Sequence, residues 1–156
     1  ITLNGALAGL VAITAGCKVV TMWGAVIIGI ISGFVVTFGI EFIDKVLKVD
    51  DPVGAITVHC LNGITGTLFV GLFANYKPGT ANAILGLFYG GGLKLLAIQA
   101  VGVVSVAVWT LINTFILFTV IKKTVGLRVS RTEEIQGLDI HEHGIESYAD
   151  FVSRLQ

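Results

Sequence analysis

The sequence predicts an all-α polytopic membrane protein, and three observations carry that expectation. Hydrophobic residues make up 54% of the chain and charged residues only 13%, with a mean hydropathy of +0.91; soluble domains carry about 25% charged residues. The apolar residues gather into long runs. One of these, from Pro52 to Tyr76, contains no Lys, Arg, Asp or Glu, and a membrane-spanning helix needs about 20 such residues. Glycine is abundant and proline scarce, a balance that suits helices packed closely in lipid. The formal net charge is zero, which gives no ground for a nucleic-acid partner.

Four hydrophobic segments and a polar tail follow in order. The first, residues 1–15, is shorter than a full span. It has no initiating methionine and no basic stretch before the apolar run, so it is not read as a signal peptide. The expectation is a chain that enters mid-helix, the C-terminal part of a longer polypeptide whose earlier helices lie upstream. The second segment covers residues 21–47, with Trp23 near one end, where an amphipathic ring favours the interface. Gly5/Gly9 and Gly29/Gly33 form G-x-x-x-G pairs suited to close helix contact.

The third segment covers residues 52–74, with Asp51 as its N-cap and Pro52 at the first helical position, both suited to a helix start. Residues 75–79 form a turn by composition. Residues 80–92, ending in Gly90-Gly91-Gly92, are expected to hold a short loop helix. The fourth span covers residues 93–121 and is closed by Lys122 and Lys123. The transmembrane region is thus residues 1–123, and residues 124–156 form a water-exposed tail. The basic residues Lys45, Lys48, Lys122, Lys123, Arg128 and Arg131 outnumber Lys18, Lys77 and Lys94 on the other side. That bias predicts a cytoplasmic C-terminus.

His59 is the most informative residue. It lies seven residues beyond Pro52, about 10 Å along a helix axis. An ionisable side chain at such depth marks a substrate or proton path by default. The alternative is a histidine bonded across a helix interface. A neutral imidazole offers one donor and one acceptor; it can relay a proton, hold a small polar solute, or ligate a haem or metal.

Thr57, Thr65 and Thr67 read as packing residues, since hydroxyls bond back to the preceding turn, and Asn62 as a contact to a neighbouring helix. His141-Glu142-His143 lacks a further ligand at metal-site spacing and reads as solvated surface. Cys17 and Cys60 read as free thiols. No nucleophile with a base, phosphate loop or specific metal motif occurs, so the expectation is a non-enzyme without catalytic residues, metal or cofactor.

Four stretches together resemble the C-terminal part of the ammonium transporter family (Amt/Mep, related to Rh proteins). They are Asn4-Gly5-Ala6-Leu7-Ala8-Gly9 with Thr14; Asp50-Asp51-Pro52 followed by His59 and Gly63; Phe88-Tyr89-Gly90-Gly91-Gly92; and Gly126-Leu127-Arg128 with Glu133, Gly137, Asp139, His143 and Gly144. The resemblance implies an ammonium-transporter-like helical bundle, an inverted-repeat fold of which this is the C-terminal part. It implies a homotrimer in the plasma membrane, with a pore in each subunit. The four segments would be the eighth to eleventh helices of such a subunit.

His59 matches the second of the family's paired pore histidines. Leu7 and Ala55 would line the pore beside it, with Asn4 and Thr14 towards its inner and outer ends. Arg128, Glu133, Gly137, Asp139 and His143 would belong to a regulatory tail that couples subunits, and in prokaryotic members a PII-type signalling protein docks there. Gly54 replaces an aspartate that some bacterial members carry at the inner mouth, and His141 replaces a phosphorylated threonine of plant members.

The implied function is ammonium or ammonia transport with deprotonation on the way. Two alternatives stand beside it. One is a sensor using the same fold. The other is a haem-binding electron-transfer subunit with His59 as ligand, although no second histidine lies within the apolar segments.

Overall fold

The computed structural model describes residues 2–77, 79 and 83–145. Ile1, Pro78, residues 80–82 and the end of the tail from residue 146 lie outside the described residues, as do the parts of the segments expected there. Among the described residues, three helices are long and apolar enough to cross a membrane: Met22–Leu47, Ile56–Phe73 and Lys94–Thr124. A shorter apolar helix, Thr2–Thr14, precedes them. The chain divides into two compact units, Ile1–Val108 and Trp109–Gln156.

In the first unit, α1 spans Thr2–Thr14 and α2 spans Met22–Glu41. Thr21 caps α2: its backbone is extended and its hydroxyl accepts the Gly24 N–H at 3.1 Å, satisfying one of the unpaired donors of a helix start. At its far end α2 widens into a π-helical turn, Phe42–Leu47, which closes at Lys48 in the left-handed region. The third span begins with a second π-helical turn, Ile56–Leu61, and continues as α3, Asn62–Phe73. It therefore starts later than Pro52, because Gly54 has φ +72° and residues 52–54 form a turn.

Contacts at named glycines fix how these segments run. A Cβ on Gly66 would collide with the Ala12 backbone, while Asn4 at the other end of α1 bonds the Val53 carbonyl. Hence α1 runs parallel to the third span. A Cβ on Gly39 would lie 2.5 Å from Thr57 Cγ2, and one on Gly24 3.8 Å from Phe73 Cβ, so α2 runs antiparallel to it. Ala8, Val36 and Val58 are buried where the three meet, with Val11 and Ile40 packed around them.

Along α2 the buried face is Gly24, Ile28, Ser32, Val36 and Gly39, at helical spacing. The close approaches therefore fall at Gly39 and Gly66. A Cβ on Gly5, Gly9, Gly29 or Gly33 would meet nothing within 4 Å in this chain. The G-x-x-x-G spacing identified pairs of small residues but not the faces that turn inward here.

Beyond α3, Ala74 bridges Val20, and a two-residue antiparallel ladder joins β1, Asn75–Tyr76, to β2, Ile84–Leu85. A single 3-10 turn, Leu87–Tyr89, follows; it is the short helix expected before the glycine run, while the ladder was not foreseen. Phe69, Phe73 and Phe88 form an edge-to-face chain with ring centroids 5.8 and 5.1 Å apart. The long helix α4, Lys94–Thr124, meets α3 where a Cβ on Gly71 would lie 2.5 Å from Leu96 Cα.

The second unit contains the C-terminal part of α4, then α5 (Arg131–Gln136) and α6 (Leu138–His143). Four polar side chains of α4 bond their own helix. Ser105, Asn113, Thr119 and Thr124 each donate to the carbonyl four residues back, at 2.7–2.9 Å. An apolar helix can carry them without stranding a donor.

Replacing Gly66 with Ala places a methyl group against the backbone of α1, which cannot swing aside as a flexible side chain can. The expected loss is about 1–3 kcal/mol of stability, read as a lower melting temperature in detergent. An unchanged melting temperature would contradict the backbone contact with Ala12.

Candidate functional site

His59 occupies the π-helical turn Ile56–Leu61 and is solvent-exposed in this chain. Its neighbours Thr57 and Val58 are buried, so the turn presses those two residues into the packing and leaves the imidazole outside it. Ala55 and Cys60 are also exposed. Because helical backbone begins only at Ala55, His59 is four residues into it, roughly 6 Å. That is closer to the Asp51 end than the depth expected from a helix beginning at Pro52.

The start of this segment is built by Asp51. One carboxylate oxygen accepts the Ala55 N–H at 2.8 Å and the other the Ile56 N–H at 2.9 Å. Its carbonyl accepts the Gly54 N–H at 3.1 Å. Asp51 therefore caps across the intervening turn instead of sitting directly before the helix, and Pro52 lies in that turn. Both carboxylate oxygens are occupied by backbone donors. The positive φ of Gly54 favours glycine, and a Cβ there would sit 2.8 Å from Asn4 Nδ2 and 3.0 Å from Ile40 Cδ1. An aspartate in place of Gly54 would strain the backbone at that φ and push aside the ends of the Asn4 and Ile40 side chains.

Asn4 donates from Nδ2 to the Val53 carbonyl at 3.0 Å, which ties the start of α1 to the turn ahead of His59. Leu7 is 49% exposed, one position from buried Ala8. Thr14, at the opposite end of α1, is exposed and donates its hydroxyl to the Leu10 carbonyl at 2.7 Å.

Asn62 carries more than its sequence context suggested. It is fully buried and does not reach across to another helix. Its Nδ2 donates to the Thr57 carbonyl at 2.9 Å, and its backbone N–H is directed at the carbonyls of both His59 and Thr57. The available signal was an amide three residues after the histidine in an otherwise apolar span. Cys17 and Cys60 are free thiols. Among the described residues, no three His, Cys, Asp or Glu side chains converge as a metal site would require.

In the tail, Ser130 and Glu133 form a reciprocal capping box. Glu133 N–H donates to Ser130 Oγ at 3.3 Å, and Ser130 N–H to Glu133 Oε2 at 2.8 Å. These bonds to Ser130, helped by the nearby His141, hold the Glu133 carboxyl below its ordinary value of 4.5. Arg128 pairs with Glu134 at 2.6 Å. Gly137 joins α5 to α6 at φ +95°, a conformation suited to glycine. Asp139 lies in the first turn of α6 and His143 in its last.

These spans and this helical packing define a multi-pass, all-α membrane protein. Residues 1–148 match the Ammonium Transporter Family, and the chain belongs to that family. The ammonium transporter Amt2 of Archaeoglobus fulgidus is 41% identical over 155 residues, covering 97% of this chain and 33% of that protein. An ammonium transporter of Mycobacterium bovis is 40% identical over 149 residues, covering 93% of this chain and 31% of its own length. A solved structure titled as a sensor Amt protein is similar with a TM-score of 0.77 and 41% identity, over 90% of this chain and 33% of that one. The chain thus spans about a third of the length of the curated relatives it matches, and it has the partial, ammonium-transporter-like bundle that its motifs implied. Those relatives are named as transporters, not enzymes.

The capping box makes the tail acid-sensitive. A lowered carboxylate pKa means that the stabilisation is complete above the ordinary value of 4.5 and fades as pH falls through the lower folded value. Protection factors for amide exchange across α5, each taken against the intrinsic rate at its own pH, should hold at neutral pH and fall below that range. A Glu133 carboxyl that titrates at its ordinary value would contradict the box.

Proposed function

We propose that the protein of which these helices form part carries ammonium across the plasma membrane. The path is a narrow apolar pore in which His59 is one of two facing imidazoles, and ammonium gives up a proton on the way. The reading is carried by one observation: in a chain of the ammonium transporter family, the only histidine of the apolar spans is held outside the helix packing by an ordered turn. Ala55 and Leu7, also turned outward, line the path beside it. Asn4 lies towards the cytoplasmic end and Thr14 towards the outer end.

The physical logic is a difference in desolvation. A bare cation pays heavily to enter an apolar conduit, and potassium cannot shed its charge. Ammonium can, and neutral ammonia then crosses at a much smaller cost. An imidazole offers a donor and an acceptor to the uncharged solute where water is scarce.

The C-terminus is assigned to the cytoplasm from the basic residues that flank the spans. Three subunits assemble, and the tail residues Arg128, Glu133, Gly137, Asp139 and His143 couple them. The same face suits a PII-type signalling protein. The resemblance to a sensor Amt protein favours a second reading, in which the same bundle reports ammonium through its tail. A sensor would bind ammonium without net flux.

With the gene expressed whole in a host that lacks its own ammonium transport, His59→Ala should change selectivity while leaving assembly intact. Methylammonium uptake should fall at least tenfold or potassium should leak, at equal abundance in the membrane. Uptake and potassium exclusion equal to wild type would remove the pore role. Truncation after Arg128 should lower or deregulate flux while the pore-lining helices remain folded, and unchanged flux in intact cells would remove the coupling role of the tail.

A further inference from the structure

Asn62 is fully buried among apolar helices, and its hydrogen bonds go to the backbone on either side of Val58, at Thr57 and His59. In a π-helical turn one extra residue is accommodated, and the hydrogen-bond register must return to that of an α-helix at its end. That return occurs at Asn62. Its N–H points to two carbonyls at once, those of Thr57 and His59, as expected where a five-residue and a shorter closure compete. Its side-chain amide adds a 2.9 Å hydrogen bond to the Thr57 carbonyl. The Thr57 carbonyl, inside the widened turn, is therefore gripped twice by one residue, and His59 lies between the two ends of that grip.

We propose that Asn62 is a positioning residue for His59. By clamping Thr57 it holds the π-helical turn against collapse to regular α-helix. Such a collapse would rotate every side chain before Asn62 by about 100°, one residue's turn of a 3.6-residue helix, and would carry the imidazole off its present face. This inference rests on the pore reading of His59. An alanine at this position would leave the π-helical turn to its backbone bonds alone. The remaining polar atoms are consistent with a site selected for geometry more than for stability. Among the described residues, Asn62 Oδ1 and Thr57 Oγ1 are both buried without a hydrogen-bond partner, a cost that an apolar residue in place of Asn62 would partly avoid.

The test is the gene expressed whole in the transport-deficient host, comparing wild type, His59→Ala, Asn62→Ala and Asn62→Ser. Asn62→Ala should lower methylammonium uptake per transporter in the membrane by about fivefold, the order one hydrogen bond carries, or relax potassium exclusion as His59→Ala does. Asn62→Ser keeps a donor able to reach a preceding carbonyl and should recover part of the loss. Combined with His59→Ala, Asn62→Ala should add nothing further, because the residue it orients is gone. If Asn62→Ala does not reach the membrane, Asn62→Leu, closer in volume to the amide, replaces it and is read the same way.

An impaired His59→Ala alongside an Asn62 variant with normal uptake per transporter and normal selectivity overturns the positioning role and leaves the pore reading standing. A lower abundance of the Asn62 variants with unchanged uptake per transporter does the same, since it marks a purely structural role. Wild-type transport by His59→Ala overturns both.

Discussion

A helix in lipid has to satisfy its own backbone, and the third span of this chain departs from regular helix without breaking that rule. Every N–H and C=O in a hydrocarbon setting needs a partner within the protein. At the start of the span the turn at residues 52–54 would leave the first helical donors bare, and the two oxygens of Asp51 take the N–H groups of Ala55 and Ile56. Six residues on, the π-helical turn closes and Asn62 covers the Thr57 carbonyl. Between these side-chain patches lies His59. The irregular backbone that presents the imidazole exists because an acid and an amide at its two ends meet the hydrogen-bonding demand.

The packing around this segment follows from the same economy of space. Side chains are absent where helices approach closely: Gly66 against the Ala12 backbone, Gly39 against the Thr57 side chain and Gly71 against Leu96 Cα. Small residues on the facing helices let van der Waals contact replace the hydrophobic driving force that lipid does not supply. Gly54 serves a different end. Its positive φ bends the chain into the turn, and its missing side chain admits Asn4 and Ile40. Asn4 then fastens α1 to that turn through Val53, so the first helix of the chain and the start of the third span are held in one register.

Much of the fold could be read from the residues, because apolar runs and their polar borders are direct consequences of a lipid solvent. Thr21 and the charged residues near Leu47 bounded the second segment, and Lys122 and Lys123 closed the fourth. Less legible was anything that depends on which face turns inward. Gly29 and Gly33 have the spacing of a contact pair, yet the buried stripe of α2 passes through Ser32, Val36 and Gly39. Pro52 looked like a first helical residue, but Gly54 two places on takes a left-handed conformation that a helix start cannot contain. The ladder joins two residues of β1 to two of β2, and no period in so short a stretch announces it.

The candidate site divides in the same way. His59 was conspicuous because an ionisable side chain in an apolar span is expensive wherever it stands. Asp51 was recognisable as a capping residue from its type, although its reach across a turn to Ala55 and Ile56 was not. Asn62 was visible only as an amide of uncertain direction. An asparagine in a span can bond a neighbouring helix or its own backbone, and sequence does not distinguish the two. The choice is made by the widened turn, in which the Asn62 N–H and the Asn62 side-chain amide both reach the Thr57 carbonyl on the same helix. Such a turn has no composition signal: Ile56, Val58 and Leu61 would suit a regular helix equally well. Where the register of backbone hydrogen bonding changes, one residue absorbs the change, and only the folded chain reveals which residue that is.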